Sequence, residues 1–143
     1  MVVKLVIESR IKDKAVIDFI CEYQKRLKPY FNLEIIEAGE GGKFFKKLTK
    51  QVLASEIIIG LDAKGTKFNS EGFAEWFLLK RDLSKNITFV IGESTGISSS
   101  ARKVIKEYIS LSDMTFSYRV GLMVIAEQIY RAMTIITGHP YHK

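Results

Sequence analysis

Both histidines of this sequence lie within residues 139–143, in the run His139-Pro140-Tyr141-His142-Lys143. Imidazole is the side chain whose ordinary pKa lies nearest neutrality, so His139 and His142, with Tyr141 and Lys143 beside them, are the candidates for handling a proton. The same rings could bind zinc. The chain has only one cysteine, Cys21, however, and no further convincing ligands for a tetrahedral site, so no metal is expected. A frayed, inert terminus is the alternative to a catalytic one.

Three other runs could hold a small molecule through backbone donors: Leu61-Asp62-Ala63-Lys64-Gly65, Ile91-Gly92-Glu93-Ser94-Thr95-Gly96 and Ile109-Ser110-Leu111-Ser112-Asp113-Met114. Glycine lets a backbone approach a ligand closely, although two ordinary turn glycines would read the same way. Two phosphate motifs are excluded. Gly60 to Lys67 has the spacing of a P-loop, but Thr66 precedes Lys67 where the lysine must come first. The Gly92 to Gly96 run has no third glycine at dinucleotide spacing. Lys43, Lys46, Lys47 and Lys50 fall on one face of an anticipated helix, opposite Phe44 and Phe45, and could track phosphates; a merely solvated face has the same spacing.

The elements that would carry these residues alternate. Val2–Glu8, Leu33–Ile36, Glu56–Leu61 and Ile87–Ile91 read as strands, with a fifth extended stretch around Ile109–Met114. Between them, Asp13 can cap a helix carrying Val16, Ile20, Tyr23 and Leu27. Gly39, Gly41 and Gly42 form a mobile turn before a helix over Lys43–Val52. Ser70 can cap a helix bearing Phe73, Trp76, Phe77 and Lys80, and Ser98 one bearing Ala101, Val104, Ile105 and Tyr108. Gly121–Thr137 is the last helix. The pattern predicts a single α/β domain over residues 1–143, a parallel sheet with helices on both faces and ligands at the carboxyl ends of the strands. In the last helix only Glu127, Gln128, Arg131 and Thr134 are polar between Leu122 and Ile136. The apolar arc is wider than one core contact needs, which suggests a partner copy or complete burial. Glu127 and Arg131 are one turn apart and can pair.

At 143 residues and 47% hydrophobic composition, the chain suits one core. A lone cysteine suits a reducing, cytoplasmic compartment. Met1–Arg10 lacks a signal-peptide core, and no segment is expected to span a membrane. A net charge of +6 and a pI near 9.4 favour anionic partners, nucleic acid foremost.

The segments LDAKG, FVIGESTGIS, YISLSDMT, AEQIYRA and GHPYHK, in this order and spacing, resemble the RlmH family of the SPOUT superfamily across nearly the whole chain. The resemblance implies a SPOUT fold with a carboxyl-terminal trefoil knot and a homodimer. It further implies transfer of a methyl group from S-adenosylmethionine to N3 of a pseudouridine in large-subunit ribosomal RNA on the assembled ribosome, with neither DNA nor membrane as partner. Carried onto this chain, Leu61, Gly92, Ile109, Ser110, Leu111, Ser112, Asp113 and Met114 would hold the cofactor, and the tail would reach the cofactor pocket. Its groups, His139, Tyr141, His142 and Lys143, then become candidates for the imide proton, with Lys143 also counted with the RNA-binding lysines. Relatives usually show a histidine and, four positions later, an arginine just past the cofactor loop, where this chain has Tyr118 and Leu122. Arg119 is the neighbouring candidate to supply the missing cation. The same two departures motivate a rival reading, a SPOUT-like protein that binds RNA or ribosomes without catalysis. A small-molecule-binding α/β protein is the third, and would need neither the basic face nor the wide apolar arc.

Overall fold

The computed structural model describes residues 1–83 and 86–143. Its strands are β1 (Val2–Ile7), β2 (Asn32–Glu37), β3 (Glu56–Lys67), β4 (Asn86–Ile91) and β5 (Glu107–Ser110). Its helices are α1 (Lys14–Leu27), α2 (Lys43–Lys46), α3 (Lys50–Ser55), α4 (Ser70–Leu83), α5 (Ser99–Arg102) and α6 (Tyr118–Thr137). All strand pairings are parallel, in the order β2-β1-β4-β3-β5, as the alternation predicted.

The two-residue period of the strands sorts the core into two layers. Val3, Leu5, Ile7, Ile87, Phe89 and Ile91 join the larger cluster with α1, α4 and α6. Val6, Ile58 and Val90 point the other way, under Phe45 of α2, Ile97 and Ala101 of α5. Helices therefore cover both faces unequally, three long ones on one side and short ones on the other. Helix α1 forms as its sequence dictates. Asp13 Oδ1 accepts from the Ala15 amide (2.9 Å), and Val16, Ile20, Tyr23 and Leu27 are buried on one stripe.

Several boundaries moved, each for a local reason. The helix expected over Lys43–Val52 is two short ones, because Thr49 is extended and its Oγ1 accepts from the Val52 amide (3.3 Å) to open α3. Ser98 caps α5 as anticipated, accepting from Ala101 (3.2 Å), but the helix stops at Arg102. The Lys106 amide instead donates to Ile58 O (2.8 Å), starting β5 earlier than Ile109 and taking Tyr108 into the strand. Asn69, not Ser70, caps α4, its Oδ1 accepting from Gly72 (2.7 Å), while Ser70 donates to Gln128 (3.0 Å). Strand β3 continues past Leu61 to Lys67 around a bulge, Leu61 and Thr66 both lying opposite Ile109.

Helix α6 begins at Tyr118, capped by Ser117, and ends on Gly138 at a φ of 75°. By length and apolarity it would suffice to cross a membrane, contrary to expectation. About half of it is buried in this chain, with Leu122, Ile125, Ala126, Ile129, Ala132 and Met133 in the larger cluster, while Met123, Val124, Ile135 and Ile136 are only partly buried and Val120 is exposed. The inner part of the wide apolar arc is thus covered within the chain, and the rest stays partly exposed.

Candidate functional site

The carboxyl ends of β3, β4 and β5 open onto one cavity of about 300 Å³. Its walls are the β3 bulge (Leu61 to Lys64), the loop after β4 (Gly92 to Ser94, Gly96 and Ile97, with Ile91), the segment after β5 (Leu111, Ser112 and Met114 to Ser117) and the start of α6 (Tyr118 and Gly121). Strands that are far apart in sequence converge here because β5 pairs with β3, which brings the chain after β5 and the start of α6 over the bulge.

Each wall is held by short local bonds. In the bulge, Asp62 Oδ1 accepts from the Lys64 amide (2.9 Å), and Asp62 Oδ2 lies 3.6 Å from an Arg102 guanidinium nitrogen. In the β4 loop, the Gly96 amide donates to Glu93 O (2.8 Å). A Cβ at Gly92 would lie 2.6 Å from backbone atoms of Gly96 and Ile97, so only glycine permits this turn. After β5, Ser110 Oγ donates to Ser112 O (2.8 Å) and Ser112 Oγ accepts from Met114 N (3.0 Å).

Of the residues expected to hold a cofactor, Leu61, Gly92, Leu111, Ser112 and Met114 line the cavity. Ile109 and Ser110 are buried behind it, Ser110 shaping the wall through Ser112, and Asp113 turns away to pair with Lys67 at 2.8 Å. Asp62, Ala63, Lys64, Glu93 and Ser94 line the cavity too, within the two loop runs that the sequence singled out, whereas Ile97, Thr115 to Ser117 and Gly121 are wall residues that sequence reasoning missed. The one local signal was Gly121, a glycine in an otherwise strong helix. Tyr118 lines the cavity and donates its hydroxyl to Arg10 O (3.2 Å). Arg119 is exposed beside the cavity, its guanidinium carbon 5.6 Å from the Tyr118 ring centroid, and Leu122 is fully buried core.

The tail is ordered against its own chain and away from its own cavity. Along α6, the 17 steps from Gly121 to Gly138 rise roughly 25 Å, and from that end the tail turns back along the helix as far as Glu127. There Tyr141 donates to Glu127 Oε1 (3.0 Å) and meets the Tyr23 hydroxyl at 3.3 Å. His142 Nδ1 lies 3.0 Å from an Arg131 nitrogen and its Nε2 2.8 Å from Glu71 Oε1. The expected Glu127–Arg131 pair forms, at 2.6 Å. Burial first, then the hydrogen bonds to Tyr23 and Glu127, push the Tyr141 phenol well above the usual tyrosine range, so it stays protonated where it sits. The His142 hydrogen bond holds the Glu71 carboxyl below its usual value, and the Glu127 bond raises Arg131. His139 and Lys143 are exposed. None of these tail residues lines the cavity of its own chain.

Lys43, Lys46, Lys47 and Lys50 are all exposed on the thinly covered side of the sheet. They do not share one helix face, because the break at Thr49 places Lys50 on α3. Helix α5 packs on α2 and adds exposed Arg102 and Lys103 to the same basic side.

A family model described as "predicted SPOUT methyltransferase" matches residues 1–142. The ribosomal RNA large subunit methyltransferase H of Natranaerobius thermophilus is 36% identical over 155 aligned positions, covering 97% of this chain and 98% of that protein. The protein of the same name from Carboxydothermus hydrogenoformans is 35% identical over 160 positions, covering both chains completely. Among solved structures, the SpoU methyltransferase AviRb from Streptomyces viridochromogenes, in complex with the cofactor AdoMet, superposes with a TM-score of 0.54 at 12% identity. That match covers 94% of this chain and 58% of that one, and speaks to the fold. With a parallel sheet whose β3, β4 and β5 loops close one cavity, and with a family match over essentially its full length, this chain belongs to the SPOUT methyltransferases.

Proposed function

We propose that the protein transfers a methyl group from S-adenosylmethionine to N3 of a pseudouridine in large-subunit ribosomal RNA on the assembled ribosome, as a knotted, cytoplasmic homodimer. The full-length similarity to proteins named as large-subunit ribosomal RNA methyltransferases carries the reading.

The cavity suits the cofactor chemically. Leu61, Leu111 and Met114 offer apolar surface for an adenine ring, while the Gly92 turn and the 111–115 segment offer backbone donors and acceptors for its edge and for the ribose. When bound, the cofactor supplies an electrophilic methyl group on a sulfonium. The chain's own task is to orient that group, exclude water and stabilise the base from which a proton leaves. Arg119, exposed next to Tyr118 beside the cavity, would face negative charge developing on the imide. The tail groups His139, Tyr141 and His142 would act only at the cavity of a second copy, and only once released from Glu71, Arg131 and Glu127. Exposed Met114 and Val120, adjoining the cavity, give such a copy an apolar place to sit. The RNA backbone would run along Lys43, Lys46, Lys47, Lys50 and the α5 cations, with Lys143 added from the tail.

The rival of a non-catalytic RNA- or ribosome-binding protein draws on Leu122, which is sealed in the core where relatives carry a cation. Calorimetry with S-adenosylmethionine, followed by methylation of ribosomes lacking the modification, separates the two. Binding and transfer are expected. Ribosome binding without cofactor binding would establish the rival.

A further inference from the structure

Glu8 immediately follows β1 and continues the row of Lys4 and Val6 toward the thinly covered face. It is only 2% exposed, and the chemistry described so far makes no use of it. Its main-chain amide donates to Ile91 O (3.0 Å), the residue before Gly92. Its side-chain Oε1 accepts from the Ser98 amide (2.7 Å), the residue after Ile97. One residue therefore grips both feet of the loop 92–97, which supplies a whole wall of the cavity.

The far foot is also held by Arg102, whose Nε donates to Ile97 O (3.2 Å), and by the buried Ile97 side chain, but among the described residues Glu8 alone ties it by hydrogen bonds to β1 and to the near foot. Helix α5, which begins there, has 4 residues, and the Ser98 hydroxyl is already committed to the Ala101 amide. The other carboxylate oxygen, Oε2, is buried with no hydrogen-bond partner among the described residues. An orphaned buried oxygen is a cost that an apolar side chain at this position would avoid, so the carboxylate's contribution must lie in the bond that it does make. We propose that Glu8 is a positioning residue for the cofactor loop. By accepting the Ser98 amide it fixes the path of residues 92–97, and so sets how tightly the cavity holds its ligand without touching that ligand. The proposal rests on the reading of the cavity as an S-adenosylmethionine site.

Two measurements on the full chain test it: hydrogen exchange of the Ser98 amide, and calorimetric titration with S-adenosylmethionine. Glu8→Val removes the acceptor, Glu8→Gln keeps one, and Val6→Ala loosens the same face of β1 as a control for lost stability. Since a factor of ten in affinity corresponds to one modest hydrogen bond, Glu8→Val should weaken cofactor binding by about tenfold or more and unprotect Ser98. Glu8→Gln should restore both, to within about threefold in affinity, and Val6→Ala should lower Tm while leaving the affinity unchanged. Wild-type affinity in Glu8→Val, a protected Ser98 in that variant, or an equal loss in Val6→Ala would overturn the proposal. If the wild-type chain itself does not bind S-adenosylmethionine, the cofactor reading fails, while Ser98 exchange still decides whether Glu8 anchors the loop.

Discussion

Gly92 and Gly121 both adjoin the cavity, for opposite physical reasons. At Gly92 a side chain would collide with the backbone of Gly96 and Ile97; at Gly121 a Cβ would meet nothing within 4 Å. Gly121 is therefore free space on the cavity side of a helix whose interior would otherwise favour alanine by about 0.5–1 kcal/mol. Gly121→Ala should raise Tm by roughly 2–4 °C in a chain of this size and largely keep cofactor binding. Gly121→Leu should fold equally well but fill the space, weakening binding by about tenfold or more. Thermal unfolding beside calorimetric titration checks both, and unaltered affinity in the leucine variant would remove α6 from the cavity wall.

At the scale of elements, local chemistry was legible and long-range pairing was not. Val16, Ile20, Tyr23 and Leu27 announced α1, and the glycine spacing after β4 marked the cofactor loop. The spacing of Val104, Ile105 and Tyr108 also read as helix, yet Lys106 bonding to Ile58 decides that stretch, and Ile58 lies far away in sequence. Thr115 to Tyr118 reach the cavity only because β5 lies beside β3, which no window of residues around them encodes. The lysine run shows both outcomes: its exposure was predictable, while Thr49 broke its helix. What survives is a basic side built from α2, α3 and α5 rather than a helical stripe. If that side tracks RNA phosphates, each of Lys43→Gln, Lys46→Gln and Lys103→Gln should reduce the slope of log affinity against log salt by roughly 0.7–0.9, weakening all RNA sequences alike. Filter binding to ribosomal RNA across salt concentrations measures this. Slopes unchanged in all three variants would place the RNA elsewhere.

For the whole molecule, the carboxyl terminus is a clasp. Tyr141 and His142 join α1, α4 and α6 through Tyr23, Glu71, Glu127 and Arg131, so the state of the tail registers how those helices are held. Two of the shifted groups, Glu71 and Tyr141, act in opposite pH windows. Glu71 has a depressed folded pKa, so its contribution is present above the ordinary value of 4.5 and is lost as pH falls through the lowered one. Tyr141 has a raised pKa, so its contribution is full below the ordinary value of 10.0 and disappears as pH rises through the raised one. Comparing the full chain with one ending at Gly138 isolates the tail's contribution, because titrating groups that neither belong to the tail nor touch it cancel to first order. The difference in Tm should be widest between the two windows. It should amount to a few degrees there, since the part-buried bonds of Tyr141 to Glu127 and Tyr23 are each worth about 1 kcal/mol and the fold spreads that over its unfolding entropy. It should narrow on the acid side as Glu71 protonates and on the alkaline side as Tyr141 ionises. A difference that stays flat across both windows would mean that the tail is not clasped by these residues. It would then be free in solution to reach a second copy without first being released.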